Sequence, residues 1–452
     1  MNSKKNPSQK IFCGKTAGLP SNPVQPQKTF FKGAVLGLLL AVVPTLLPAA
    51  TYYVAKTGSD SNPGTASSPW LTVQKAANTT VAGDTVNIAA GVYAEKVKET
   101  SSGTASAHIT YKGAGAASVT LGGFYISGAY VDASDVTLNG VGVDANDGCI
   151  QLLSGADHCS FSNISINGAP GYSAVRGACG VHTGWPAANY GTFDNITITN
   201  PDNNAFALLG TNHTVTNCRI SGQKGWDCFI IIGSNIVVRG NTVTDWSNPQ
   251  ANDNHPDLFQ TFGNDPAQTS RDVLIENNTV LNAGNDVQLG NLEDTQLNGN
   301  ISRWTFKNNL FCNVARTINV AMPYATFTNN TFYRCGTASQ WSITIFNNSH
   351  GVANYINIQK NIFYDCASPS QTNNGGYAGD TVTGQVSDYN LVVGTGLGII
   401  KTWFKEPHGI NGLDPLFVNP SAGNFSLMAG SPAAGLGIMT APSNAKTTIT
   451  SL

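Results

Sequence analysis

The densest run of polar side chains in the sequence is Asn252-Asp253-Asn254-His255-Pro256-Asp257-Leu258-Phe259-Gln260. Asp257 precedes Gly263 by six residues, as Asp227 precedes Gly233 and Asn204 precedes Gly210. If each glycine closes a strand and the three strands are neighbours, Asn204, Asp227 and Asp257 form one stack at about 4.8 Å spacing. His255, two residues before Asp257, then shares its face. Carboxylates this close repel when ionised, unless a cation lies between them or one keeps its proton. Three readings follow. A Ca2+ ion bridges Asp227 and Asp257, with Asp253 or Asn204 completing its shell. Alternatively, Asp227 and Asp257 are the acid and base of a glycosidase, for which neighbouring-strand spacing favours retention. In the third reading the acids and His255 only satisfy turn amides beside Pro256, as part of a polar scaffold.

Other groups lie around this segment. Lys224, on the turn before Asp227, is a second candidate base beside His255. Arg176, Lys224, Arg239, Arg271 and Arg303 supply positive charge, and Arg176 and Arg271 are expected to hold substrate. Trp185, Trp226 and Trp246 fall in or beside long connections and offer faces on which a sugar could stack, while Trp304 and Trp341 are placed like core residues. His182 is a further loop candidate.

Positioning such groups requires a repeating scaffold. A short pattern recurs, ending on Gly140, Asn163, Asn195, Asn217, Gly240, Asn277, Asn308, Asn329 and Lys360. Each unit reads apolar residue, any residue, then Asn or Gly, followed by two or three strand formers. Its short intervals are 21 to 23 residues, and the longer ones add roughly one loop each. A unit this small cannot bury its own apolar face and must stack on a neighbour. Asn tolerates the left-handed turn conformation, and its amide can ladder between identical neighbours. The expected architecture is all-β: a right-handed parallel β-helix over residues 51–452, with terminal caps. Leu71–Ala77 is expected as an N-terminal cap helix hiding the first strand edges. Residues 414–430 are expected to form a last irregular coil. The longer connections, 170–190, 248–270, 286–303 and 337–355, would wall a groove suited to a linear polymer.

Composition agrees with this scaffold. Among 452 residues, only 11% are charged, and Asn is about as common as the 48 glycines. Charge this sparse excludes a coiled coil and a basic nucleic-acid binder. Six lysines and no acid occupy residues 1–32, and an apolar run follows to Ala50. Residues 1–50 therefore read as a secretory signal, whose removal leaves a chain free of the membrane, extracellular or periplasmic. That chain carries 18 basic and 26 acidic groups, so an acidic polymer would need a basic or metal-bridged site. Cys13 leaves with the leader. The spacing of the other eight cysteines suits neither a zinc site nor a stapled mini-domain.

Two segments carry a family resemblance. Residues 51–70 (TYYVAKTGSDSNPGTASSPW) with 83–97 (GDTVNIAAGVYAEKV) resemble the opening of bacterial pectate-lyase-like β-helix proteins. Residues 412–437 (GLDPLFVNPSAGNFSLMAGSPAAGLG) look like the terminal segment of the same group. The resemblance implies a monomeric, secreted enzyme acting on a linear polysaccharide. Such enzymes include lyases, glycoside hydrolases and uronan epimerases, and non-catalytic glycan binders share the fold. Lyases of this fold use a Lys, Arg or His base, often beside Ca2+, so the resemblance implies β-elimination on a uronate polymer with His255 or Lys224 as base. The calcium-and-arginine signature of pectate lyases is missing from the sequence, as are the paired-aspartate and Gly-His-Gly signatures of polygalacturonases.

Overall fold

The computed structural model describes residues 48–438 apart from 142, 145–146, 169–178, 185, 202, 223–225, 248–255, 264, 337–341, 349–350, 367–369, 374–382 and 395–405. Contacts divide the chain into residues 1–47, which lie outside the described residues with most of the expected leader, and the compact unit Pro48–Leu452.

Within that unit each coil is built from three short strands. One coil runs Thr214–Thr216, Arg219–Ser221 and Phe229–Ser234 before the next opens with Val237–Arg239. Stacked coils make three faces, numbered here in that order. Among the described residues, face 1 is a thirteen-stranded parallel sheet from Thr51–Val54 to Val386–Asp388. Faces 2 and 3 join into one sheet, because strands such as Thr279–Glu293 pass the corner between them unbroken. Register is strict from coil to coil: Val215 pairs with Val238 and Phe206 with Phe229. In-register parallel pairing places like side chains over one another. Phe206, Phe229 and Phe259 stack at 5.2 and 5.4 Å, and Phe306 lies 4.9 Å from Phe327. Each such ring, removed from water, contributes roughly 1.5–3 kcal/mol.

The corner between faces 1 and 2 explains the sequence repeat. Asn163, Asn195, Asn217, Asn277, Asn308, Asn329 and Lys360 all have φ between +50° and +57° there. Asn is among the few residues with a side chain that enters this region readily. One member differs from the sequence pattern. Ser134 pairs with Ser162, which puts Asp135 (φ +61°), not Gly140, in the column of Asn163. The residue after each turn points inward. From Asn241 onward it is Asn241, Asn278, Asn309, Asn330, Asn361 and Asn390, all buried. Each Oδ1 accepts the backbone N–H of the preceding coil, and each Nδ2 donates to a carbonyl: Asn278 N–H reaches Asn309 Oδ1 at 2.9 Å, and Asn309 Nδ2 reaches Ile275 O at 2.8 Å. The ladder ends where Asn390 Nδ2 donates to Glu406 Oε1 at 2.6 Å. In earlier coils the same position holds Val136, Ile164, Ile196 and Cys218.

The ends depart from a plain stack. Near the start a five-residue helix, Val73–Ala77, is capped by the Thr72 side chain and buries Val73, Ala76 and Ala77 in the main core. Residues 414–430 do not add a last coil. Phe417–Asn419 and Asn424–Leu427 pair as an antiparallel hairpin instead. Phe417 and Phe425 join Leu310, Tyr333, Ile362 and Leu391 in a second apolar cluster on the outer side of face 2. That outer side is too apolar to face water, so the chain turns back to cover it. Gly437 N–H then donates to Lys360 O, and Asn329 Nδ2 to Gly435 O. Cys149, Cys159, Cys218, Cys228, Cys312, Cys335 and Cys366 are all buried. Among the described residues no helix is long and apolar enough to cross a membrane.

Candidate functional site on face 3

The stack expected from the closing glycines is present at the corner where face 2 hands over to face 3. Gly210 pairs with Gly233 and Phe229 with Phe259, so Asn204, Asp227 and Asp257 occupy one register position. The column continues through Gln288 and Arg316. Asp227 Oδ1 accepts the backbone N–H of Asp257 at 2.7 Å, and Asp257 Oδ2 accepts from Gln260 Nε2 at 3.2 Å. Asp257 is fully buried and Asn204 nearly so, whereas Asp227 is half-buried. Arg316 is paired with Asp286 at 2.9 Å and is partly exposed. Sequence reasoning missed Gln288 and Arg316.

The other expected site residues fall into three groups. His255, Lys224, Asp253, Trp185 and Arg176 lie outside the described residues. Trp226 is half-buried, and its carbonyl accepts the indole N–H of Trp246 at 3.2 Å. Trp246 is fully buried in the main core and offers no face to a sugar, which corrects its expected role in binding. Arg271 is the second residue of the strand Ser270–Glu276 on face 1. It sits at the far corner of the coil, so the structure does not bring it to Asp227 and Asp257.

For a calcium ion, the two described carboxylates do not suffice. One oxygen of each already holds an N–H, and among the described residues no three His, Cys, Asp or Glu side chains cluster to hold a metal.

A second polar group occupies the first coils of face 3. Lys96 Nζ lies 3.0 Å from Asp144 and 3.1 Å from Asp147, and 4.4 Å from the Tyr125 ring centre. Burial alone would lower the Lys96 pKa, but the hydrogen bonds to Asp144 and Asp147 outweigh it and hold the ammonium above its usual value. His182 is on a strand, not a loop, and pairs with Gln151 and Ala207 in register. Its Nδ1 accepts from Gly184 N–H at 3.1 Å and faces Gln151 Nε2 at 3.1 Å. Burial lowers its pKa, with the Asp147 charge opposing. The neutral ring therefore carries its proton on Nε2 and acts as a donor.

No family model and no curated protein sequence matches the chain. Solved structures do resemble it. The PL6 family polysaccharide lyase Pedsa3628 from Pseudopedobacter saltans superposes with a TM-score of 0.51 at 14% identity, over 80% of this chain and 96% of the other. The alginate lyase AlyF-OU02, solved with G6, gives 0.51 and 14% over 70% and 74%. Pectate lyase Pel9A gives 0.46 and 14% over 85% and 90%. The architecture that the chain shares with these structures is the right-handed parallel β-helix. Identity this low establishes the architecture, not the reaction.

Proposed function

We propose that this protein is a secreted polysaccharide lyase that cleaves a linear uronate polymer by β-elimination at the corner between faces 2 and 3. The observation that carries the proposal is the column Asn204, Asp227, Asp257, Gln288 and Arg316, in which Asp227 and Arg316 reach the surface. Two solved proteins of similar fold are a polysaccharide lyase and an alginate lyase, which supports the substrate class. In this reading the Arg316 guanidinium exchanges Asp286 for a uronate carboxylate, a two-point match to its planar fork. Holding that carboxylate makes the C5 proton more acidic. His255 or Lys224 then takes the proton, the C4–C5 double bond forms, and the C4–O bond breaks with its electron pair leaving on the glycosidic oxygen, which is protonated. Asp227 positions the strand head that carries Asp257. The calcium set Asp227, Asp257 and Asp253 enters only with Asp253, and no step is assigned to the ion.

Incubation with alginate, polygalacturonate and glycosaminoglycans should yield unsaturated ends that absorb in the ultraviolet from at least one polymer. Arg316→Ala should lower kcat/KM by about 100-fold or more, while Arg316→Lys restores a fraction. New reducing ends without that absorbance would establish a hydrolase instead. The complete burial of Asp257 favours a second reading, a glycan-binding solenoid without catalysis. It predicts retention on a glycan column with no product from any polymer.

A further inference from the structure

The outward column of face 3 changes character at two coils. Across successive coils it reads Gln151, His182, Ala207, Ile230, Gln260, Asn291 and Asn319. Two residues further along the same two central strands stand Leu209 and Ile232, again outward and paired. Ala207 and Ile230 thus form an apolar step two coils wide, about 4.8 Å between strands, with His182 and Gln260 on either side. A cleft of about 390 Å3 opens over its end, floored by Leu209 and Ile232. Pro186 and Ala187 form one wall, and the turn Asp265–Thr269 forms the other. That turn is prearranged: Asp265 Oδ1 accepts Ala267 N–H at 2.8 Å, and Thr269 Oγ1 accepts from Ser234 at 3.1 Å. Among the described residues that line the cleft none is lysine, arginine or histidine, and the one charged side chain is the exposed Asp265.

We infer that this cleft is a subsite for a neutral pyranose unit of a glycan. An apolar floor matches the C–H face of a sugar ring, and a carboxylate, an amide and hydroxyls at the rim match its hydroxyl groups. A uronate unit is disfavoured, because its carboxylate would meet Asp265 with no cation among the described lining residues to offset the repulsion. From Asp227 at the strand head to Gly233 at its tail is about 20 Å of extended chain, so this subsite is separate from the acidic column. The polymer recognised is then a mixed one, carrying neutral units as well as uronate. The inference rests on the glycan-binding part of the proposed function and not on elimination.

Calorimetric titration of the full chain with neutral hexasaccharides (xylo-, manno- and gluco-series) and with a uronate hexasaccharide tests it without reference to product. At least one neutral series should bind, and Ile232→Asp should weaken that binding by about tenfold or more. Ile232 is outward and partly exposed, so the variant should keep its thermal midpoint. Gln268→Ala, a rim change that leaves the floor intact, should weaken the same ligand. Failure of every neutral series to bind overturns the inference. So does unchanged binding in both variants, or a uronate ligand that responds to Ile232→Asp more strongly than the neutral ones.

Discussion

Burial decides the protonation of two histidines beside face 3. His213 is fully buried, with Nε2 donating to Leu209 O at 2.7 Å and Nδ1 accepting Gly191 N–H at 2.9 Å. Burial lowers its pKa despite those backbone contacts, and His182 is lowered for the same reason. The unfolded chain therefore takes up protons at about pH 6.5 that the folded chain still refuses. Stability is level above that pH and falls as pH drops from about 6.5 toward the folded values. Urea midpoints measured at about pH 7 and about pH 5.5 should differ, and His213→Gln, less stable overall, should show a shallower fall. An equal fall in the variant would assign the loss to other groups. At this same scale, the stack of Asn204, Asp227 and Asp257 could be read from the sequence because a glycine closes each strand. Gln288 and Arg316 could not, since Asp294 and Met322 stand where that glycine would be. Trp246 misled for another reason. A tryptophan in a connection reads as exposed, but its N–H finds the Trp226 carbonyl, which lets the whole indole bury.

The corner between faces 1 and 2 shows two uses of one residue type. Asn308 and Asn309 are adjacent, yet the first supplies a left-handed backbone and the second a rung of the buried ladder. Asn309→Ala removes the acceptor of Asn278 N–H and Nδ2 and leaves Ile275 O without its donor. The expected cost is about 2–4 kcal/mol, read from denaturant midpoints. Asn308→Gly should change stability by less than about 1 kcal/mol, and Asn308→Val should cost more, because only the backbone conformation is at stake. Similar costs for Asn308→Gly and Asn309→Ala would contradict this division. The repeat itself was open to sequence reading because every coil must turn at the same corner. The hairpin at 417–427 was not, because its apolar residues answer to the outer side of face 2, a partner remote in sequence.

Across the whole molecule, coils touch mainly their neighbours, so stability is local in the manner of repeat proteins. The ladder runs only from Asn241 to Asn390, and earlier coils rely on apolar contact at that position. Amide hydrogen exchange should accordingly be slower, by about tenfold or more, in the coils of Asn278 to Asn361 than in those of Ile164 and Ile196. Uniform protection along the axis would refute the division. The hairpin and the segment through Ile438, which clasps Thr331, are the last described parts of the chain to emerge during synthesis. Coils can settle one upon another as they appear, but the outer strip of Leu310, Ile362 and Leu391 stays wet until that clasp arrives. A chain cut before Phe417 thus keeps a long greasy seam on its flank, and only the arrival of the hairpin closes it.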